Sequence, residues 1–350
     1  MKAGILYGDR DIRLGEAPEP RIGPDEVLVQ SCYAGICGTD LHIYRGEFHD
    51  RVRCPAIQGH EFGGLVQEVG ESVDGLAKGD RVVVDPILSC HACPACLSGR
   101  LNACRSLKLL GVDLDGGFGQ LVAAPANHVY PLPDSIPLAF SPMVEMYALG
   151  HHVLRRGQVQ PGETVVILGA GKLGLSVLDV LCHSAAPALT IVTDLQPFRL
   201  EQARRLGADH TIDIRTEDPV QRVLEITQGL GADCAIECVG HYHLMDGQES
   251  PLGQAVQMIR TAGRVVTAGM ANQASTLLFK TLVVKEAQII ASRVTLGEFP
   301  RAMHLMSKGL VHPEILVTDV MPLRDISAAF RKVDADEPST IKVVLDLQQA

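Results

Sequence analysis

The stretch ETVVILGAGKLGLSVLDVL, residues 163 to 181, leaves few folds open. A short β-branched apolar run, Val165 to Leu168, passes through Gly169, Gly171 and Gly174 into an apolar helical segment. A strand that becomes a helix through G-x-G-x-x-G belongs to an open, doubly wound parallel sheet. The glycines have separate duties: Gly169 permits the tight turn, Gly171 lets backbone N–H groups approach a pyrophosphate, and Gly174 lets the helix pack on the sheet. The start of the helix adds unpaired N–H donors and a favourable dipole. A second strand, LTIVTD, closes on Asp194, twenty residues past Gly174. A carboxylate there accepts hydrogen bonds from ribose hydroxyls and repels a 2′-phosphate. The expected cofactor is therefore NAD, held by Gly169, Gly171, Leu173, Gly174 and Asp194. A nucleotide-binding domain that does not use NAD stays open as the alternative.

The same pattern continues downstream. HTIDI, DCAIECVG and GRVVTAGM read as strands and PVQRVLEIT as a helix. The first 150 residues differ: short β-like runs (EVLVQSCYA, GGLVQEVG, DRVVVDPI, GQLVAAP) are punctuated by Gly, Pro and Asp, the pattern of a β-barrel-like domain. STIKVVLDL, near the other terminus, forms one more strand that could return to that domain. Two domains are the natural expectation for 350 residues. No stretch approaches the roughly 20 apolar residues that cross a bilayer. The first residues lack the apolar core of a signal peptide, so a cytoplasmic protein without a membrane partner is expected. A formal net charge of −10 argues against nucleic acid as a partner. The small basic group His151, His152, Arg155 and Arg156 reads as a solvated helix face.

Ten cysteines in such a chain are not expected to pair as disulfides. Four crowd into SCHACPACLSGRLNAC as Cys90, Cys93, Cys96 and Cys104. Two C-x2-C steps and a fourth cysteine eight residues on can close one four-thiolate shell around zinc. With four sulfurs in place no position is left for substrate, so such a zinc is structural. Four reduced surface thiols, or a redox pair, are the other reading. His91 lies inside the cluster as a bystander, and Cys32, Cys54, Cys182, Cys234 and Cys238 receive no chemistry.

GICGTDLHIY, residues 35 to 44, carries Cys37, Thr39, Asp40 and His42; GHEFGG, 23 residues beyond Cys37, carries His60 and Glu61. Alone, each is ordinary. Together, a cysteine, a histidine and a carboxylate make a reasonable set for a catalytic zinc with an exchangeable position.

GICGTD, GHE, C-x2-C-x2-C-x7-C, GGF and GAGKLG, in that order, resemble the zinc-dependent medium-chain dehydrogenases, in particular their sorbitol (polyol) and threonine dehydrogenase branch. The resemblance runs over nearly the whole chain. It implies a GroES-like catalytic domain over 1–145 with a structural zinc lobe at 89–105. It further implies a Rossmann NAD domain over 146–290 and a return to the catalytic domain over 291–350. It implies two zinc ions per chain, the catalytic one on Cys37, His60 and Glu145, with Glu61 bound directly or exchanging with water. Glu145 stands 24 residues before Gly169, where that branch has a glutamate and alcohol dehydrogenases more often have cysteine. Thr39 is implied to hydrogen-bond the reacting hydroxyl, His42 to pass the proton to solvent, Asp40 to orient His60, and Arg199 to contact the adenosine ribose. The implied reaction oxidises a secondary alcohol (a sugar alcohol, cyclitol or related polyol) with NAD, in a homo-tetramer. Threonine or 2,3-butanediol oxidation is the runner-up, and a non-catalytic NAD- or zinc-binding protein the rival from another class. Two departures stand out: Met146 follows Glu145 where the branch usually has proline, and GHYHLMDGQESPLGQ, 240 to 254, is longer than usual. A loop over 241–254 that shapes the cofactor or substrate pocket is expected, and Tyr44, His49, Phe118 and Arg293 are candidate pocket residues.

Overall fold

The computed structural model describes residues 1–47, 50–240, 249–270 and 274–349. They form two compact units, one from Met1–Met146 with Thr295–Ala350, the other Tyr147–Val294.

The first unit is built mainly on antiparallel strands, with one parallel pair, Val317–Pro322 beside Lys342–Asp346. Its larger sheet runs in the order Val129–Pro131, Arg81–Val84, Glu61–Val69, Glu26–Gly35, Lys342–Asp346, Val317–Pro322, with Leu121–Pro125 also paired to Glu26–Gly35. The long central strand Glu26–Gly35 alternates Val27, Val29 and Ser31 with Leu28 and Gln30, and all of it but Glu26, Gln30 and Tyr33 is buried. Lys342–Asp346 joins it antiparallel, Val344 opposite Gly35. Three-stranded pairing of Asp11–Glu16, Lys2–Gly8 and Ala56–Ile57 forms a second sheet. The helix Ile326–Asp334 closes on these strands with Ile326, Ala329 and Phe330 fully buried.

Two candidate pocket residues belong to this core instead. Tyr44 and Phe118 are buried, with ring centroids 5.1 and 5.9 Å from that of Phe330. Each ring removes large apolar area from water by packing there. His49 lies outside the described residues.

The second unit is a six-stranded parallel sheet. Its order is His210–Asp213, Leu189–Asp194, Thr164–Leu168, Ala232–Glu237, Ile259–Thr267, Gln288–Ala291. Numbered within the unit this is 3-2-1-4-5-6, the doubly wound order whose direction reverses beside the first strand. Central strands read as continuous apolar runs because both faces are covered: Val165, Val166 and Ile167 expose nothing, nor do Ile191 and Val192. The expected strands and the helix Pro219–Ile226 are all present.

Of the long insertion, 241–248 lie outside the described residues. Its last part is not loop: Pro251–Met258 is helical. Ser250 caps that helix, its Oγ accepting from the Gly253 N–H at 3.2 Å, and Pro251 takes the first helical position, where a missing N–H costs nothing. The Ser-Pro pair was the available signal.

Candidate metal and dinucleotide sites

Strand register assembles the first site. Gly35, the last residue of its strand, stands opposite Glu61, the first of the next. Cys37 therefore leaves one strand beside His60 and Glu61, and the ligand atoms of these three lie within 4.8 Å of one another. Cys37 also starts the helix Gly38–Tyr44, where its backbone N–H donates to the Asp40 carboxylate at 2.7 Å. The other oxygen of Asp40 lies 3.5 Å from His60 Nδ1, so the remaining ring nitrogen, Nε2, is the one left for a metal. Asp40, His60 and Glu61 are all buried. Burial opposes protonation of His60, yet Asp40 and Cys37 hold its pKa well above the ordinary histidine range. A thiol, an imidazole backed by the Asp40 carboxylate, and a second carboxylate, gathered at one point, make a donor set that a divalent cation can bridge. The donor set fits zinc.

Glu145 sits in the first turn of the helix Met143–Gly157, outside that group of three. Burial, then Glu61, pushes its pKa up to about 7, while His60 and Lys342 oppose the rise. Its carboxyl thus shares the electrostatics of the site.

Lys342 was not foreseen. It is fully buried, its ammonium donating to Glu61 Oε2 and, at 3.3 Å, to the Ile36 carbonyl. Burial alone would lower its pKa; Glu61 and Cys37 carry it above the usual value. A Cβ on Gly35 would stand 2.4 Å from Glu61 Oε2 and 2.7 Å from Lys342 Cε, so the ion pair fits only against a glycine. The sequence signal was a single lysine between Ile341 and Val343 in an otherwise apolar strand, because a buried charge requires a partner.

Thr39 and His42 lie on the same helix, Gly38–Tyr44, and His42 Nδ1 is 2.6 Å from Glu47 Oε2.

The second cluster joins Cys90, Cys93, Cys96 and Cys104, all four ligand atoms within 4.8 Å. Cys93 caps the short helix Pro94–Leu97, which carries Cys96, and the turn Leu101–Ala103 delivers Cys104. Sulfur separations are 3.5 Å for Cys93 to Cys96 and 4.0 Å for Cys90 to Cys96. Four thiolates about 2.3 Å from one ion stand about 3.8 Å apart, so these gaps suit one tetrahedral zinc. The thiol of Cys93 is brought down to about 6 by the backbone amides of Cys96 and Arg105, whereas burial and then Cys93 push that of Cys96 up to about 12, so without a cation the cluster shares its protons unevenly. His91 faces Ser89 at 3.4 Å.

In the second unit the glycine turn follows Thr164–Leu168. Gly169 has φ +93, and a Cβ on Gly174 would lie 1.8 Å from the Gly169 carbonyl oxygen, so neither position admits a side chain. A Cβ on Gly171 would meet no protein atom within 4 Å: the space in front of the helix Lys172–Ser184 is open. Leu173 lies in that helix's first turn. Asp194 accepts from the Ala170 N–H and the Gln196 N–H, both at 2.7 Å, tying the end of its strand to the glycine turn. Burial raises the Asp194 pKa above the ordinary carboxylate range, opposed by the Gln196 and Ala170 N–H groups and then by Arg199 on the helix Pro197–Arg205.

Comparison with known proteins agrees with both halves. Residues 23–134 match the alcohol dehydrogenase GroES-like domain and residues 173–308 the zinc-binding dehydrogenase domain. A sorbitol dehydrogenase of Bacillus subtilis is 33% identical, covering 99% of this chain and 97% of its own. The chain belongs to the zinc-dependent medium-chain dehydrogenases. Another member, an L-threonine 3-dehydrogenase of Pyrococcus horikoshii, is 36% identical over 83% of this chain and 80% of its own. A short chain alcohol dehydrogenase from Escherichia coli CFT073, solved with NADH, superposes with a TM-score of 0.91 at 32% identity, covering 99% of each chain. Family membership brings zinc and a nicotinamide cofactor with it. Among the described residues no helix is long and apolar enough to cross a membrane.

Proposed function

We propose that this chain is an NAD-dependent dehydrogenase of secondary alcohols, with a sugar alcohol or cyclitol as substrate. The observation that carries the reading is the grouping of the partly buried Cys37 with the buried His60 and Glu61, joined electrostatically by Glu145 rather than by a cysteine. These residues would hold the catalytic zinc, with Glu61 divided between the metal and Lys342. Bound zinc supplies a Lewis acid that eases deprotonation of an alcohol, and bound NAD accepts hydride. Asp40 keeps the His60 ring turned, Thr39 would hydrogen-bond the reacting hydroxyl, and the proton would pass by way of the nicotinamide ribose to His42 and out to solvent. Cys90, Cys93, Cys96 and Cys104 would hold a structural zinc. The glycine turn and Asp194 would bind the dinucleotide, with Arg199 beside the ribose. A homo-tetramer in the cytoplasm is the accompanying expectation.

The deciding assay follows NADH formation by zinc-loaded protein on sugar alcohols, cyclitols, diols and L-threonine. A polyol or cyclitol well ahead supports the proposal. L-Threonine in front transfers the assignment to amino-alcohol oxidation, and no turnover on a broad panel favours a non-catalytic binder.

Two further outcomes are expected. Asp194→Ala should lower kcat/KM for NAD about tenfold or more, the loss of charge-assisted hydrogen bonds, while narrowing the preference over NADP. A wild-type protein that prefers NADP defeats this assignment. Cys93→Ser should remove about one zinc of two and lower Tm, because a closed four-sulfur site contributes folding energy. Unchanged zinc content by elemental analysis refutes the structural-zinc role.

A further inference from the structure

The helix Gly38–Tyr44 ends in a way that fixes the position of the residue five places beyond His42. The Gly46 N–H donates to the Ile43 carbonyl and the Glu47 N–H to the His42 carbonyl, each at 2.9 Å. In this pair of bonds a left-handed residue just past the helix folds its successor back over the last turn. Gly46 is that left-handed residue, with φ +81, and the Asp9 carboxylate lies 2.6 Å from where its Cβ would stand. Glu47 consequently returns over His42, its Oε2 2.6 Å from His42 Nδ1. Neither side chain is fully exposed, 14% for His42 and 26% for Glu47. Arg45, between them in sequence, directs its guanidinium to Asp334 at 2.7 Å.

We infer that Glu47 is a positioning residue for proton transfer: the helix end places its carboxylate on His42 Nδ1, fixing the tautomer in which Nε2 accepts the proton. An imidazole that donates Nδ1–H to a carboxylate keeps its Nε2 lone pair. The inference rests on the dehydrogenase reading and deepens it. There, the alcohol would lose a hydride to bound NAD and, by way of Thr39 and the nicotinamide ribose, a proton. That proton arrives on His42 Nε2, making an imidazolium, and leaves from Nε2 to water. Glu47 gains no proton; it balances the transient positive charge and holds the ring. The sequence carries the device as a glycine followed by an acid, Arg45-Gly46-Glu47, just after the helix.

The test uses zinc-loaded protein with ¹⁵N-labelled histidine, in which nitrogen-detected correlation reports the His42 tautomer. Wild type should show Nδ1–H. Glu47→Ala should lose that tautomer and reduce kcat about tenfold, with KM for the alcohol within about twofold, a fraction of the full general-base contribution. Glu47→Gln, whose amide oxygen still accepts from Nδ1–H, should retain the tautomer and recover most of kcat. An unchanged tautomer or an unchanged kcat in an active Glu47→Ala enzyme overturns the inference alone. Loss of the tautomer in a protein whose wild type oxidises no alcohol overturns the dehydrogenase reading and the catalytic part of the inference with it.

Discussion

Replacing His60 with alanine is expected to reduce kcat at least about a thousandfold and to leave about one zinc per chain. Lewis-acid stabilisation of developing negative charge is worth several kcal/mol, and roughly 4 kcal/mol is three powers of ten in rate. The remaining ion would be that of the four cysteines, which lie on a different stretch of chain, 90 to 104. Elemental analysis and steady-state kinetics on one preparation check both halves. A His60→Ala protein with two zinc ions and wild-type kcat would remove His60 from the metal shell. Asp40→Asn should have a smaller effect, about 10- to 100-fold in zinc affinity, since the change weakens the hold on the ring without deleting a ligand.

Lys342→Met is expected to cost about 3–5 kcal/mol of unfolding free energy, because it strands the Glu61 carboxylate with no compensating charge. Neither side chain of this pair has any exposed surface. The double variant Lys342→Met/Glu61→Leu should recover most of that stability, since an apolar pair needs no charge compensation. Denaturant unfolding of the single and double variants measures the coupling. A loss below about 1 kcal/mol in the single variant would show that water or local rearrangement already satisfies Glu61.

Much of this was legible in the sequence because periodic burial leaves marks in it. The parallel sheet was announced by unbroken apolar strands and by glycines whose replacement the packing forbids, Gly174 above all. The four-cysteine cluster was legible because metal spacing is local. Cys37 and His60 were individually ambiguous, and only the register of two strands, Gly35 opposite Glu61, brings them together. Lys342 escaped because its partner lies 281 residues away, and no local pattern encodes so distant a charge. Tyr44 and Phe118 were placed in a pocket because a large aromatic ring serves a core and a binding site equally well; their meeting point, Phe330, is visible only in three dimensions.

The pairing of Val344 with Gly35 also sets a timetable. On the ribosome Glu61 is made 281 residues before the lysine that neutralises it. At about 5–20 residues per second the interval is roughly 15 to 55 s. The contiguous unit Tyr147–Val294 can complete its sheet within that interval. The discontinuous unit cannot, and its Cys37, His60 and Glu61 group waits for a strand still to be translated. Premature termination before residue 342 therefore yields a chain able to fold its nucleotide half while its metal half remains an open, edge-exposed sheet, a natural substrate for chaperones and proteases.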